Sequence, residues 1–411
     1  MTRDAGREEE SFLMDDVDQR LLQTLQRSVA TVPAYRPFAA LLRDVTAADA
    51  RQVLRAFPLL ERQQLADNLA AYLSDAFARD ELKPAFTGGS TGDPLRFLRH
   101  PSEHAYEQHF RARAWRSFGL TPTDRTVVVN LRRDARARDR DEFLTPNGTL
   151  FLPMMVLTDE AILPVFERIR QHRPAIVRGT ANLVFQLALF CARQNLRIEG
   201  LKGVAYSASV LLPSERRFIV EQLGVPLVSL YGQTERAAMA VAEGHDQPFE
   251  VFNDYGIIEL IAENGTPIEQ PGRVGEIVAT PLFPRATGLL RYRTGDLAAW
   301  HEVGRSLTDI EGRRAYVLID RAGQRNPVGI DATDRIVAAL PAGAQLQFVQ
   351  FQAGRLTIRI SQPQSASSAR LVAAAELLRN DFELDWEWGT APEISPNGKR
   401  QMWLSKLPPL V

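Results

Sequence analysis

The sequence predicts an α/β fold in two parts. Residues 1–303 form a large N-terminal domain of αβ subdomains with a distorted antiparallel β element, and residues 304–411 a small α+β domain. Three observations carry this expectation. Between residues 126 and 230 short apolar runs alternate with segments of helical period, as in a parallel sheet with crossover helices. Between residues 255 and 292 strand-like runs are separated by Gly/Pro turns, as in antiparallel hairpins. Between Trp300 and Arg313 the character changes, and helix, hairpin, helix and strand follow in a compact order of their own.

In chain order, residues 1–10 read as a frayed tail. Ser11 to Leu82 is helical in pattern, punctuated by prolines at 33, 37 and 58. Pro101 to Phe118 reads as a helix closed by Gly119. His100 just before it and His104 and His109 within it are spaced wrongly for one metal-binding face. Then come a strand at Thr126–Asn130, helices at Ala161–His172, Ala181–Gln194 and Pro213–Leu223, and strands at Pro174–Val177, Gly203–Ser207 and Pro226–Leu230. Tyr231 directly follows the last of these, where parallel sheets bind ligands. Strands are expected at Tyr255–Ile261, Glu276–Pro281 and Leu289–Tyr292, with Glu263 to Thr266 as a hairpin loop. The last part offers a helix at 331–340, a hairpin at 345–352 and 356–360, a helix at 366–380 and a strand at 383–388.

Composition excludes several classes. Lys and Arg total 49 against 50 Asp and Glu, a formal net charge of −1, so no global field draws the chain to nucleic acid or membrane. The arginine-rich stretch Arg132 to Arg140 is interleaved with Asp134, Asp139 and Asp141 and reads as a solvated loop. The single cysteine, Cys191, excludes an internal disulfide; its apolar setting, LVFQLALFCAR, makes it a core thiol. The acidic start MTRDAGREEE is unlike a signal peptide, and no run approaches the ~18 apolar residues of a membrane span, so a cytoplasmic location is expected.

Five short stretches carry chemistry. Phe86 to Pro94 reads FTGGSTGDP; its glycines let successive backbone N–H groups converge on an anion, with Thr87, Ser90 and Thr91 adding hydroxyls. It lacks the Gly-Lys-Ser/Thr end of a kinase-type P-loop. In YGQTE (231–235), Tyr231 offers a flat face, Gly232 removes side-chain bulk, and Glu235 is a hard oxygen ligand suited to Mg²⁺. In RYRTGD (291–296), the two oxygens of Asp296 can accept from two ribose hydroxyls. Arg313, after Gly312, is a planar cationic fork, and Lys399 in SPNGKR (395–400) is a point charge on a glycine turn. Taken singly, each also has an ordinary reading as a turn, a strand-end tyrosine, a surface carboxylate or a loop lysine.

Together and in this order, from about residue 86 to 406, the five stretches resemble the adenylate-forming superfamily of acyl-CoA synthetases and adenylation domains, most closely its phenylacetate–CoA ligase branch. The resemblance implies ATP and Mg²⁺, with CoA as co-substrate. Thr87, Gly88, Gly89, Ser90, Thr91 and Gly92 would hold the β and γ phosphates, and Tyr231 and Gly232 would flank adenine. Thr234 would touch the α-phosphate, Glu235 would bind Mg²⁺, and Asp296 and Arg313 would bind ribose. Lys399 would serve adenylation from a small domain that moves between half-reactions. Tyr206, Ser207, Ala208 and Ser209 would line the acyl pocket with Ala237 and Ala238.

Three departures qualify the resemblance. Asp93 stands where many relatives carry lysine. Tyr206 to Ser209 lacks the glutamate common in that element, and the junction RAYVLIDRAG lacks the usual acidic pair. The expected activity is therefore activation of a small or aromatic carboxylic acid, then transfer to CoA. The alternatives are an amine, another small nucleophile or a carrier-protein thiol as acceptor, or a non-catalytic nucleotide-binding scaffold. No nucleic-acid or membrane partner is expected, and a homodimer is left open.

Overall fold

The computed structural model describes residues 2–87, 95–115, 119, 124–130, 142–154, 158–313, 318–326, 330–340, 344–365, 368–393 and 402–407. Along the chain these form α1 (Thr2–Thr31), α2 (Ala50–Arg55), α3 (Arg62–Asp67), β1 (Lys83–Phe86), β2 (Arg96–Arg99) and α4 (Ser102–Ala114). Then follow β3 (Thr126–Asn130), β4 (Phe143–Leu144), β5 (Thr149–Pro153), α5 (Asp159–His172), β6 (Ile176–Thr180), α6 (Ala181–Gln194), β7 (Gly203–Ser207), α7 (Pro213–Leu223) and β8 (Leu227–Gly232). Next are β9 (Met239–Glu243), β10 (Phe249–Val251), β11 (Gly256–Ile261), β12 (Val274–Pro281), β13 (Tyr292–Glu302) and β14 (Ser306–Arg313). The chain continues through β15 (Leu318–Ile319), β16 (Arg325–Asn326), α8 (Ile330–Ala338), β17 (Leu346–Gln352), β18 (Arg355–Ile360), α9 (Ser368–Ala375), β19 (Glu383–Trp388) and β20 (Trp403–Ser405).

Two compact units result, each discontinuous in sequence. The first comprises Met1–Arg116, Leu230–Val241 and Pro248–Ile310. Its α1 and α2 bury Leu21, Leu25 and Leu54, with Phe57 just beyond α2, against Ile257, Leu282 and Leu290. Strands β11, β12 and β13 pair antiparallel, with a register shift between Glu276 and Val278. A separate hairpin pairs β1 with β2, Phe86 opposite Arg96. The glycine-rich stretch is thus the connection of a two-stranded hairpin, and residues 88–94 themselves lie outside the described residues.

The second unit comprises Ser117–Ser229, Ala242–Gln247 and Glu311–Val411. Strands β5, β3, β6 and β7 are parallel neighbours, with β4 antiparallel at the edge of β5. The apolar run of α6 packs on this sheet, and Cys191 is fully buried there; burial pushes its thiol up to about 12. Helix α7 shows why its bounds were readable. Pro213 occupies the first turn, the Glu215 carboxylate accepts from the Leu212 N–H at 3.1 Å, and Gly224 closes the helix at φ +68°. In the C-terminal part, strands β19, β18, β17 and β20 are neighbours in one sheet. Phe348, Leu356 and Ile358 form its core with Leu371, Phe382 and Leu212.

Several expectations shift. Helix α1 begins at Thr2 and so takes in the stretch expected to fray. Helix α4 begins at Ser102, one residue later than expected. Strand β8 continues through Tyr231 and Gly232 instead of ending at Leu230. The strand expected at Leu289–Tyr292 begins at Tyr292 and runs to Glu302. The reason is Arg291, whose φ of +51° is incompatible with a strand. Its guanidinium is held by Glu259 at 3.0 Å and by the carbonyl oxygens of Arg55 and Phe57 at 2.9 Å.

Candidate active site

The site assembles in the first unit from the ends of β8 and β13. Tyr231 is the penultimate residue of β8, half-buried, and its phenol donates to Asp296 Oδ2 at 2.9 Å. Burial, and then the Asp296 charge, push that phenol well above its ordinary range, so it remains a donor. Gln233 donates to the phenolic oxygen at 2.5 Å while its own Oε1 accepts from the Ala238 N–H at 3.2 Å, which fixes the ring. Asp296 is held in turn: its N–H donates to Thr294 Oγ1 at 3.1 Å, and that hydroxyl donates to the Ile277 carbonyl at 2.8 Å.

Gly232 is exposed and follows the ring. Its φ lies outside the left-handed region, and an added Cβ would meet only the Ala238 carbonyl oxygen at 3.7 Å. Neither the backbone nor packing demands glycine there. What its lack of a side chain provides is open space beside Tyr231.

Glu235 is only 6% exposed. Its Oε1 accepts from the Tyr292 phenol at 2.9 Å and lies 3.9 Å from Arg62 Nη1. Burial, and then Glu235, raise the Tyr292 phenol well above its usual range. Arg62, from the first turn of α3, also donates through Nη2 to Thr87 Oγ1 at 3.1 Å. One guanidinium therefore bridges the base of the glycine hairpin and the buried carboxylate. Thr87 is itself the hairpin's neck: its N–H donates to the Leu95 carbonyl at 3.0 Å, and its Oγ1 accepts from the Leu95 N–H at 2.9 Å. Its hydroxyl is committed to closing the hairpin, a duty that the sequence did not disclose.

Behind this layer lies Arg285, 7% exposed. It donates to the carbonyl oxygens of Glu235 at 2.7 Å, Arg236 at 3.1 Å and Thr287 at 2.6 Å. Arg236 carries φ +55°, and Arg285 holds the turn that imposes it. Burial lowers the Arg285 pKa. A second carboxylate, Glu107, accepts from the Tyr255 phenol at 2.7 Å and lies 3.7 Å from Arg236 Nε. Arg62, Arg285 and Tyr292 were missed from the sequence. Each acts across long sequence separations, and no local pattern marks a lone arginine for such a contact.

The remaining expected residues divide. Gly88, Gly89, Ser90, Thr91, Gly92, Asp93 and Lys399 lie outside the described residues. Arg313 is the last residue of β14, and its side chain is likewise not described. Thr234 is exposed beside Glu235, whereas Ala237 and Ala238 are fully buried. In the second unit, Ser207 ends β7 and Ala208 follows at φ +72°. Tyr206 points into the core, 4% exposed, with Ser229 and Arg216 as partners, so its side chain supports the strand end from within.

The donor set suits Mg²⁺ shared with phosphate oxygens. Glu235 Oε2 takes no hydrogen bond from the described residues, and no trio of His, Cys, Asp or Glu gathers among them into an all-protein cage.

No protein-family model matches the chain. Phenylacetate-coenzyme A ligase of Escherichia coli (strain K12) is 28% identical over 330 residues, covering 74% of this chain and 71% of that protein. The Pseudomonas putida enzyme of the same name is 31% identical over 136 residues, 31% of this chain and 30% of that protein. Among solved structures, 2-hydroxyisobutyryl-CoA ligase in its postadenylation state has a TM-score of 0.68 at 17% identity, covering 94% of this chain and 88% of that one. No helix among the described residues is long and apolar enough to cross a membrane. By sequence the chain is similar to proteins named phenylacetate-coenzyme A ligase, and its fold is similar to that of 2-hydroxyisobutyryl-CoA ligase.

Proposed function

We propose that the protein activates a small or aromatic carboxylic acid with ATP as an acyl-adenylate and passes the acyl group to the thiol of CoA. The observation that carries this reading is the connected set Thr87–Arg62–Glu235–Tyr292 and Tyr231–Asp296, which links three of the five motifs through side chains. In the first step a carboxylate oxygen of the acid attacks the α-phosphorus of ATP, and the bond to the β-phosphate oxygen breaks to release pyrophosphate. In the second the CoA thiol gives up its proton and attacks the acyl carbon, and AMP leaves with the electrons of the anhydride bond.

The chain's own groups have definable tasks in this scheme. The Tyr231 face and the open space at Gly232 receive the adenine. Asp296, oriented by the Tyr231 phenol, accepts from the ribose hydroxyls, joined by Arg313. The hairpin connection 88–92 presents backbone and hydroxyl donors to the β and γ phosphates. Arg62 supplies a cation at the neck of that hairpin. Thr234 contacts the α-phosphate, Ser207, Ala208 and Ala237 border the acid, and Lys399 bridges the acid and the α-phosphate. Glu235 would hold Mg²⁺, which when bound neutralises charge on the phosphate oxygens. We further propose residues 1–303 and 304–411 as the functional division, with Lys399 on the smaller part.

Pyrophosphate release across a panel of carboxylic acids, with and without CoA, tests the proposal. Acid-dependent release accompanied by thioester is expected. ATP binding with no release from any acid would overturn it in favour of a scaffold. Release that CoA never converts to thioester would overturn the second step and point to another acceptor.

A further inference from the structure

Helix α1 carries a polar stripe on a face that is otherwise packed. Thr24, Arg27, Ser28 and Thr31 recur at helical spacing beside the core residues Leu21, Leu22 and Leu25. Thr24 and Ser28 are 7% and 8% exposed, so the stripe is largely withdrawn from water. With Ser74 and Arg285 it lines a cavity of about 20 Å³ within the first unit. Gly288 lets the opposite wall close on the helix, since a Cβ there would lie 2.9 Å from Val32 Cγ2.

The protein itself does not satisfy every polar group of this lining. Thr31 Oγ1 donates to the Arg27 carbonyl at 2.9 Å and accepts from Ser74 Oγ at 2.8 Å. Thr24 Oγ1, by contrast, is buried with no hydrogen-bond partner among the described residues. A buried hydroxyl left unpaired is destabilising, and native folds keep few of them.

The charges are equally one-sided. Arg285 is 7% exposed, and its hydrogen bonds go to the carbonyl oxygens of Glu235, Arg236 and Thr287. It forms no ion pair with a described Asp or Glu. Burial lowers its pKa; Glu103 and Glu235 oppose this from beyond ion-pair distance, while Arg236 adds to it. Arg27, the second cation of the lining, also has no ion pair among the described residues. Among those residues no carboxylate lines the cavity. A cation withdrawn from water is costly to hold without a partner.

We infer that this cavity binds one monovalent anion of chloride's size, held by Arg27, Arg285 and the Thr24 hydroxyl. A water-sized guest needs about 10–15 Å³, so the cavity has room for one and none for phosphate or sulfate. Water is the competing guest, but it must donate as well as accept, and guanidinium groups accept nothing. An anion meets both cations and the hydroxyl at once. Because Arg285 also holds the Glu235 and Arg236 carbonyls, the anion offsets the charge of the group that fixes that turn.

Thermal unfolding of the full chain tests this, with sodium chloride compared to sodium gluconate at equal ionic strength. Gluconate supplies charge but is too large for the cavity. Chloride is expected to raise Tm saturably above gluconate, by about 1–2 °C at roughly ten times its Kd. Arg27→Gln, at a half-buried residue, should lose most of that difference. Thr24→Val removes an unpaired hydroxyl, so it should be at least as stable as the parent in gluconate and gain less from chloride. Crystals soaked in bromide should show an anomalous peak in the cavity of the parent and none in Arg27→Gln. Equal Tm in the two salts overturns the inference, as does a full chloride gain in Arg27→Gln. An ordered water in the cavity with no bromide peak overturns it too. Should Thr24→Val fail to fold, Arg27→Gln carries the test.

Discussion

The phenol of Tyr231 donates to Asp296 at 2.9 Å, and the two come from segments 65 residues apart. This bond turns a flat ring and a carboxylate into one rigid edge. Asp296→Asn should raise the Kd for ATP about tenfold to a hundredfold, the value of a charge-assisted hydrogen bond, with Tm little changed. Tyr231→Phe should weaken binding less, because the ring face survives. Isothermal titration with ATP checks both.

Gly232→Val should abolish nucleotide binding and leave the fold intact. The glycine adopts no left-handed φ, and a Cβ there meets only ordinary contact at 3.7 Å. Equal thermal stability with lost ATP titration is the expected outcome. Unchanged ATP affinity would show that nothing occupies the space beside Tyr231.

Arg62→Ala should raise the KM for ATP about tenfold, and Arg62→Lys should restore part of it, since a point charge replaces the cation but cannot hold both neighbours at once. Initial rates of pyrophosphate release across ATP concentrations provide the measurement.

Arg285→Met should be the most damaging of these changes to stability, by about 3 kcal/mol, because it leaves buried carbonyl oxygens without donors. Urea denaturation reads the loss. Because the turn at Glu235 and Arg236 relaxes, weaker ATP binding should accompany it in the fraction that remains folded.

Alkaline pH should destabilise the fold. Tyr231, Tyr255 and Tyr292 are each raised well above the ordinary phenol range, first by burial and then by the carboxylates Asp296, Glu107 and Glu235. Below about pH 10 both folded and unfolded states keep these protons, and the contribution is complete. Above it the unfolded chain releases protons that the folded chain retains, so stability falls as pH rises towards the folded values. Chemical denaturation from pH 8 to 11 should show this limb, and Tyr292→Phe should make it shallower.

Much of the fold was legible because local rules agree with it. The bounds of α6, β7 and α7 follow from apolar period, a first-turn proline and a closing glycine. The motif residues Tyr231, Glu235 and Asp296 were legible as chemistry, but their partners were not. Tyr292 was read as a strand residue, and Arg62 and Arg285 were not read at all, because their meaning depends on contacts 57, 25 and 50 residues away. Arg291 shows the converse: it sits inside a ligand-like motif, yet its side chain serves Glu259 and two carbonyl oxygens. Tyr206 likewise sits in a pocket-like stretch and faces the core.

Cys191, sealed inside α6 with its thiol pushed up to about 12, has a practical corollary for the proposed transfer to a thiol. Only the thiolate is nucleophilic, so the chain's one sulfhydryl offers no internal competitor for an activated acyl group. The same inertness makes the native chain a blank background: a cysteine introduced on its surface would take a maleimide label alone, with no need to remove the residue that nature placed there.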